Sequence, residues 1–120
     1  MTTLFVAAGG LIGVLARYGI GRASHGLGDD GLLWSTVGIN IIGSFLLGLL
    51  VAEPWFSREV REGLGVGLLG GFTTFSTFSV QAVLEVDGGR PELALIFVAA
   101  SVIGGIAAAF AGYGLGRALA

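Results

Sequence analysis

Charged residues gather into short clusters and leave four long apolar stretches between them. The first runs from Thr2 to about Gly21 and holds one charge, Arg17. The second, Gly31 to Ala52, is uncharged between Asp30 and Glu53; the third, Gly63 to Leu84, is uncharged between Glu62 and Glu85. The fourth, Leu93 to Gly116, is also uncharged. Each is close to the roughly 20 apolar residues that a helix needs to cross hydrocarbon. Lipid offers backbone amides no partners, so such stretches must satisfy their own hydrogen bonds, and the pattern predicts four transmembrane α-helices. The connections are short: His25 to Asp30, Glu53 to Glu62 and Val86 to Glu92. They leave no space for a soluble domain, so residues 1–120 are expected to form a single four-helix transmembrane domain. Pro54 and Pro91 stand outside the apolar runs, and Trp34 and Trp55 fall near the predicted interfaces. Met1-Thr2-Thr3-Leu4 lacks the positive charge that precedes the apolar core of a signal peptide, so the first stretch is read as a retained helix.

Composition strengthens the membrane reading. Only 12% of the residues are charged, against about a quarter in ordinary soluble domains, and mean hydropathy is +0.92. All six basic residues are arginines, spread along a chain of net charge −2, which gives no basic stripe for nucleic acid. With no cysteine, disulfides and thiolate metal sites are excluded; His25, the one histidine, sits in a glycine-rich loop and makes no metal set. With four spans, one face of the membrane receives Arg58, Arg61 and Arg117, the other Arg17, Arg22 and Arg90. That balance gives the positive-inside rule no preference, so the chain is expected to insert in both orientations. Dual topology permits an antiparallel homodimer with its twofold axis in the membrane plane.

Small residues recur at helical spacing: Gly9, Gly13 and Gly21, with Arg17 in the same register; Gly63, Gly67 and Gly71; Gly104, Ala108, Gly112 and Gly116. Such faces let helix backbones approach closely. No internal repeat is read from the chain. Gly65-x-Gly67-x-x-Gly70 matches the dinucleotide fingerprint formally, but no strand precedes it and it lies inside a membrane run. The predicted spans contain no Asp, Glu, His, Lys or Cys, so nucleophile and general-base pairs are missing and an enzyme is not expected. They offer neutral donors instead. Thr36, Asn40, Ser44 and Gly48 share a face of the second helix, where the plainest role for Asn40 is a hydrogen bond between helices. The least ordinary stretch is Gly70-Gly71-Phe72-Thr73-Thr74-Phe75-Ser76-Thr77-Phe78-Ser79. It predicts a break in the third helix near mid-membrane, where freed carbonyls coordinate a cation and a half-helix N-terminus favours an anion. Phe75 and Phe78, at i and i+3, either pack into core or lipid, or present positive ring edges to a small anion.

These residues resemble the Fluc or CrcB-type fluoride channels of microbial membranes. The resemblance spans the chain: Gly9-Gly10 to Arg17-Tyr18, Asn40-x-x-Gly43-Ser44-Phe45, and the specific run Gly70 to Ser79. It implies a multi-pass protein of the cell inner (plasma) membrane, working as an antiparallel homodimer, or a heterodimer with a related chain. Such a dimer has two pores and a structural sodium ion, Na+, on its axis. By position, carbonyls of Gly70 and Thr73 from both subunits would hold the sodium. Phe75 and Phe78 would be the pore phenylalanines, Asn40 the pore amide, and Ser76, Thr77 and Ser101 a polar track. Gln81 stands where many members have glutamate and Phe97 where a tyrosine is common. Arg17 either draws anions into a vestibule or snorkels to the interface. The implied function is passive exit of fluoride trapped in the cytoplasm after entry as neutral HF. Two other readings remain: a small multidrug-resistance-type exporter, which relies on a first-helix glutamate that this chain lacks, and a non-transporting membrane subunit.

Overall fold

The computed structural model describes every residue, Met1–Ala120, and contains no strand. Four segments are long and apolar enough to cross a membrane: Thr2–Leu27, Gly31–Ala52, Arg58–Asp87 and Pro91–Leu119. In the first, α1 (Thr2–Ser24) passes into a 3-10 turn over His25–Leu27; the second is α2 (Gly31–Ala52) and the fourth α6 (Pro91–Leu119). α1 and α6 run a few residues past the edges of their apolar stretches, while α2 coincides with its own. Helical hydrogen bonding continues into the interface, and Pro91 begins α6 where its missing N–H costs nothing.

The third span is assembled from pieces. A polar first turn, α3 (Arg58–Glu62), is capped by Ser57, whose hydroxyl accepts from the Val60 amide at 3.4 Å. Gly63–Leu69 then winds as a π-helix before α4 (Gly70–Phe72). Regular helix stops there, because Thr73 is extended with ψ 162°, and resumes as α5 (Ser76–Asp87). A seven-residue π stretch was not expected from the sequence. Its glycines 63, 65 and 67 carry no side chains to crowd the widened turns.

Glycine sets the helix pairing. A Cβ on Gly67 would lie 2.5 Å from the Val6 carbonyl oxygen, and one on Gly71 would lie 2.8 Å from that of Gly10, so α1 and the third span touch backbone to backbone. Along the other seam, a Cβ on Gly112 would lie 3.0 Å from the Leu49 amide and one on Gly116 2.7 Å from the Leu49 oxygen, which fits α6 against α2. Between α2, α5 and α6 sits a small apolar core of Leu33, Val37, Phe78 and Phe97. Phe97 is completely buried there, 5.1 Å from Phe78 between ring centroids.

Charge closes the ends. Arg61 donates to the carbonyls of Leu50 and Glu53, both at 2.8 Å, and so satisfies orphan acceptors at the C-terminus of α2. Arg90 joins the first and third connections through Asp30 at 2.8 Å and Glu85 at 2.7 Å, and these two carboxylates, Asp30 first, raise its already high pKa. Replacing Gly112 with Ala drives a methyl group into α2 backbone and should cost about 1–3 kcal/mol. Gly114→Ala, in open space on the same helix, should be close to neutral. Thermal unfolding of the two variants in detergent, followed by circular dichroism, checks the contrast; equal midpoints would remove the seam as the stabilising contact.

Candidate functional site

The interrupted third span leaves three consecutive residues, Thr73, Thr74 and Phe75, between its helical pieces; the Thr73 amide still closes α4 on Leu69 and the Phe75 carbonyl opens α5 on Ser79, so Thr74 is the residue with no helical bond. One side chain resolves most of the resulting polar deficit. Asn40 on α2 reads both backbone groups of Thr74: its Nδ2 donates to the Thr74 carbonyl at 3.0 Å, and its Oδ1 accepts from the Thr74 amide at 2.9 Å. The carboxamide thus replaces a missing peptide partner. The plain sequence reading of Asn40, a hydrogen bond between elements, describes this contact, with one refinement: its partner is irregular backbone rather than a helix. Thr74 also restarts the chain, since its hydroxyl accepts from the Thr77 amide at 3.3 Å in the manner of an N-cap. Gly43, one turn beyond Asn40, admits the Thr73 methyl to the α2 surface.

Because the Thr74 amide is committed to Asn40, the Gly70 carbonyl loses the donor that a continuous helix would give it. The Thr77 amide, turned to the Thr74 hydroxyl, likewise does not serve the Thr73 carbonyl. Two main-chain oxygens are thereby freed at the end of α4, where the helix dipole is negative. Arg17 answers that end from α1, its Nε donating to the Gly71 carbonyl at 3.3 Å. The opposite half, α5, begins with the positive end of its dipole, its Thr77 amide held by the Thr74 hydroxyl.

Two cavities flank the break. One, of about 250 Å³, is lined by Asn40, Gly43, Ser44, Leu47, Leu69, Gly70, Thr73, Thr74, Phe75, Phe78, Ser101 and Val102. It gathers six of the residues singled out in the sequence: Asn40, Gly70, Thr73, Phe75, Phe78 and Ser101. The second, of about 200 Å³, takes Arg17 and Thr77 together with Arg22, His25, Ser35, Thr36 and again Thr74. Thr74 is therefore the partition between them. Ser76 and Gln81 line neither cavity; Ser76 is exposed, while Gln81 is half-buried with a buried Oε1 that accepts no hydrogen bond.

The two phenylalanines part company. Phe78 is 8% exposed and bridges Phe97 and Phe75, with ring centroids 5.1 and 5.9 Å away, whereas Phe75, outside the helix, is 78% exposed. The two remain i, i+3 neighbours, because Phe75 is the N-cap of α5 and its carbonyl accepts from the Ser79 amide at 2.9 Å; they differ in exposure because the cap position lies at the rim of the packed face. The Ser101 hydroxyl is buried against the first cavity without a partner, which leaves a donor for whatever enters. Sequence reasoning passed over Thr74. Its signal was present: a hydroxyl residue just ahead of a resumed helix, three positions before the amide that it accepts from, is an N-cap pattern.

Asn40→Ala should leave the Thr74 amide and carbonyl both unpaired, at about 1–3 kcal/mol for each buried group. Ser44→Ala, one turn along the same face, should change stability by less than about 0.5 kcal/mol. Thermal midpoints in detergent distinguish them, and equal losses would rule out the Asn40 pairing as the support of the break.

The profile of the family described as CrcB-like protein, Camphor Resistance (CrcB), matches residues 4–113. The chain is 45% identical to the fluoride-specific ion channel FluC of Thermus thermophilus over 119 residues, covering 97% of this chain and 95% of that protein. It is 46% identical to the protein of that name from Agrobacterium fabrum, over 95% and 94% of the two chains. The counterpart from Idiomarina loihiensis is 47% identical, over 88% and 84%. With matches of this extent running through all four spans and the break, the chain belongs to the CrcB family.

Proposed function

We propose that this protein is a fluoride channel that lets the ion leave the cytoplasm passively across the inner (plasma) membrane. The observation that carries the reading is likeness to fluoride-specific channels over 97% of the chain. The site agrees in its chemistry. Its first cavity offers hydroxyls, an amide and aromatic rings, with no ionised side chain among the lining residues. Neutral donors replace part of a small anion's hydration shell and still release it, whereas a ring of cations would hold it. In this reading Asn40, Phe75, Phe78 and Ser101 line the path, and Ser76, Thr77 and Gln81 extend it along α5. Arg17 stands at the vestibule while bracing the break.

The working unit in this proposal is an antiparallel, dual-topology homodimer, with a heterodimer of related chains as the variant form. Two features support it: the arginine balance across the four spans, and the exposure of Phe75 beside the break. Gly70 and Thr73 fit a sodium ion, because their carbonyls are released from helical bonding and hard cations take oxygen ligands. Two oxygens from each copy would hold it, and the ion supplies positive charge between the facing breaks. The broken third span is then two sites of opposite preference, a cation-binding joint ending α4 and an anion path beginning α5.

Purified protein in liposomes should release fluoride on addition of an ionophore, as read by a fluoride electrode, and should pass chloride far more slowly; silence, or equal chloride flux, would overturn the channel. Phe75→Ile and Phe78→Ile should each lower flux about fivefold or more, the rate equivalent of losing about 1 kcal/mol of ring-edge stabilisation, with the dimer intact. Exchange of sodium for N-methylglucamine should lower the thermal midpoint of the dimer; an unchanged midpoint excludes the carbonyl site.

A further inference from the structure

The hexapeptide Tyr18-Gly19-Ile20-Gly21-Arg22-Ala23 recurs with one conservative change as Tyr113-Gly114-Leu115-Gly116-Arg117-Ala118. The repeat escapes notice because it is short and its copies lie far apart, at the ends of α1 and α6. In space the copies behave alike. Arg22 donates to the Tyr18 hydroxyl at 3.2 Å with its guanidinium 6.0 Å from the ring centroid; Arg117 donates to Tyr113 at 3.3 Å, 5.9 Å from the ring. The first glycine of each copy faces open space. The second faces α2, Gly21 beside Leu32 at one end of that helix and Gly116 beside Leu49 at the other. The motifs therefore stand at opposite faces of the membrane.

Upstream of each motif the exposed surface is apolar with matched spacing. Leu11, Leu15, Tyr18 and Arg22 follow one another at steps of four, three and four, and so do Ile106, Phe110, Tyr113 and Arg117. In all six cases the apolar or aromatic side chain is at least 43% exposed. Each stripe begins as hydrocarbon and ends in a tyrosine and an arginine, the order in which a phospholipid presents acyl chain, interface and phosphate. The charges are also free. Arg58, Arg61 and Arg90 are paired with carboxylates and Arg17 with the Gly71 carbonyl, whereas Arg22 and Arg117 have no acidic partner. Stacking over tyrosine and the tyrosine hydroxyl occupy only part of a guanidinium, which leaves N–H groups to bind a phosphate oxygen.

We infer that the two Tyr-Gly-x-Gly-Arg-Ala motifs are twin lipid-headgroup sites, one at each membrane face, that select anionic phospholipid. An anionic headgroup fits because an unpaired arginine gains from net negative charge and is repelled by the ammonium of a zwitterionic lipid. A free phosphate fits poorly, since both arginines lie in the last turn of a helix, whose negative end opposes an anion without an acyl chain to retain it. The inference does not depend on which ion the protein transports.

Native mass spectrometry of the full-length protein with phosphatidylglycerol and chain-matched phosphatidylcholine tests it. The unmodified protein should retain phosphatidylglycerol preferentially, and a large molar excess of inorganic phosphate should not displace it. Arg22→Gln and Arg117→Gln should each weaken the association about fivefold, and together should abolish the preference. Arg58→Gln, which removes an arginine already paired with Glu62, should leave the preference unchanged, and circular dichroism reports that all variants are folded. Retention of phosphatidylglycerol by the double variant, equal retention of phosphatidylcholine, or displacement by phosphate would each overturn the assignment.

Discussion

The pairing of Asn40 with both backbone groups of Thr74 is the contact on which the centre of this protein depends. Lipid supplies no hydrogen bonds, so irregular chain at mid-membrane is tolerated only where protein or a wet cavity satisfies it. A carboxamide carries one carbonyl and one amide group at peptide-like spacing, and here it pairs as a neighbouring peptide would. Everything nearby follows from that substitution. Thr73 lies against Gly43, Thr74 caps the next helix, and Phe75 is thrown outward while Phe78 enters the core.

The same pairing separates two electrostatic environments within a few residues. Carbonyls at the end of α4 lose their helical donors and concentrate negative potential, which Arg17 partly offsets through Gly71. Amides at the start of α5 carry the opposite sign. The proposed cation joint and anion path would each draw on one of these two fields, using backbone alone. Such fields need no deprotonation and no bound side-chain charge, which suits a passage through which an ion must also leave.

A break of this kind would weaken an ordinary helix, and the surrounding frame compensates by backbone contact. Glycines on α1, on the π-helical stretch and on α6 bring helices together closely enough for dispersion and tight packing to replace the missing hydrophobic drive. At the ends, Arg61 and Arg90 tie connections to one another. Arg22 and Arg117 remain outside this network, each stacked on the tyrosine one turn before it.

Much of the architecture is local, and so the sequence alone determined it. Span number follows from run length and charge position, because a transmembrane helix satisfies its own backbone. Close packing follows from glycine spacing, and an interruption is written in Gly70 to Ser79, whose hydroxyls have no reason to sit in hydrocarbon. The contents of the site were decided only in three dimensions. Asn40 and Thr74 lie 34 positions apart, and nothing in either neighbourhood says that one amide will serve the other's backbone. The divergent fates of Phe75 and Phe78, the positions of Ser76 and Gln81 outside both cavities, and the π winding all depend on where helical phase is lost and regained. Phase is cumulative along the chain, so a shift of one residue redirects every side chain after it; only the packing of α5 against α2 and α6 fixes that shift.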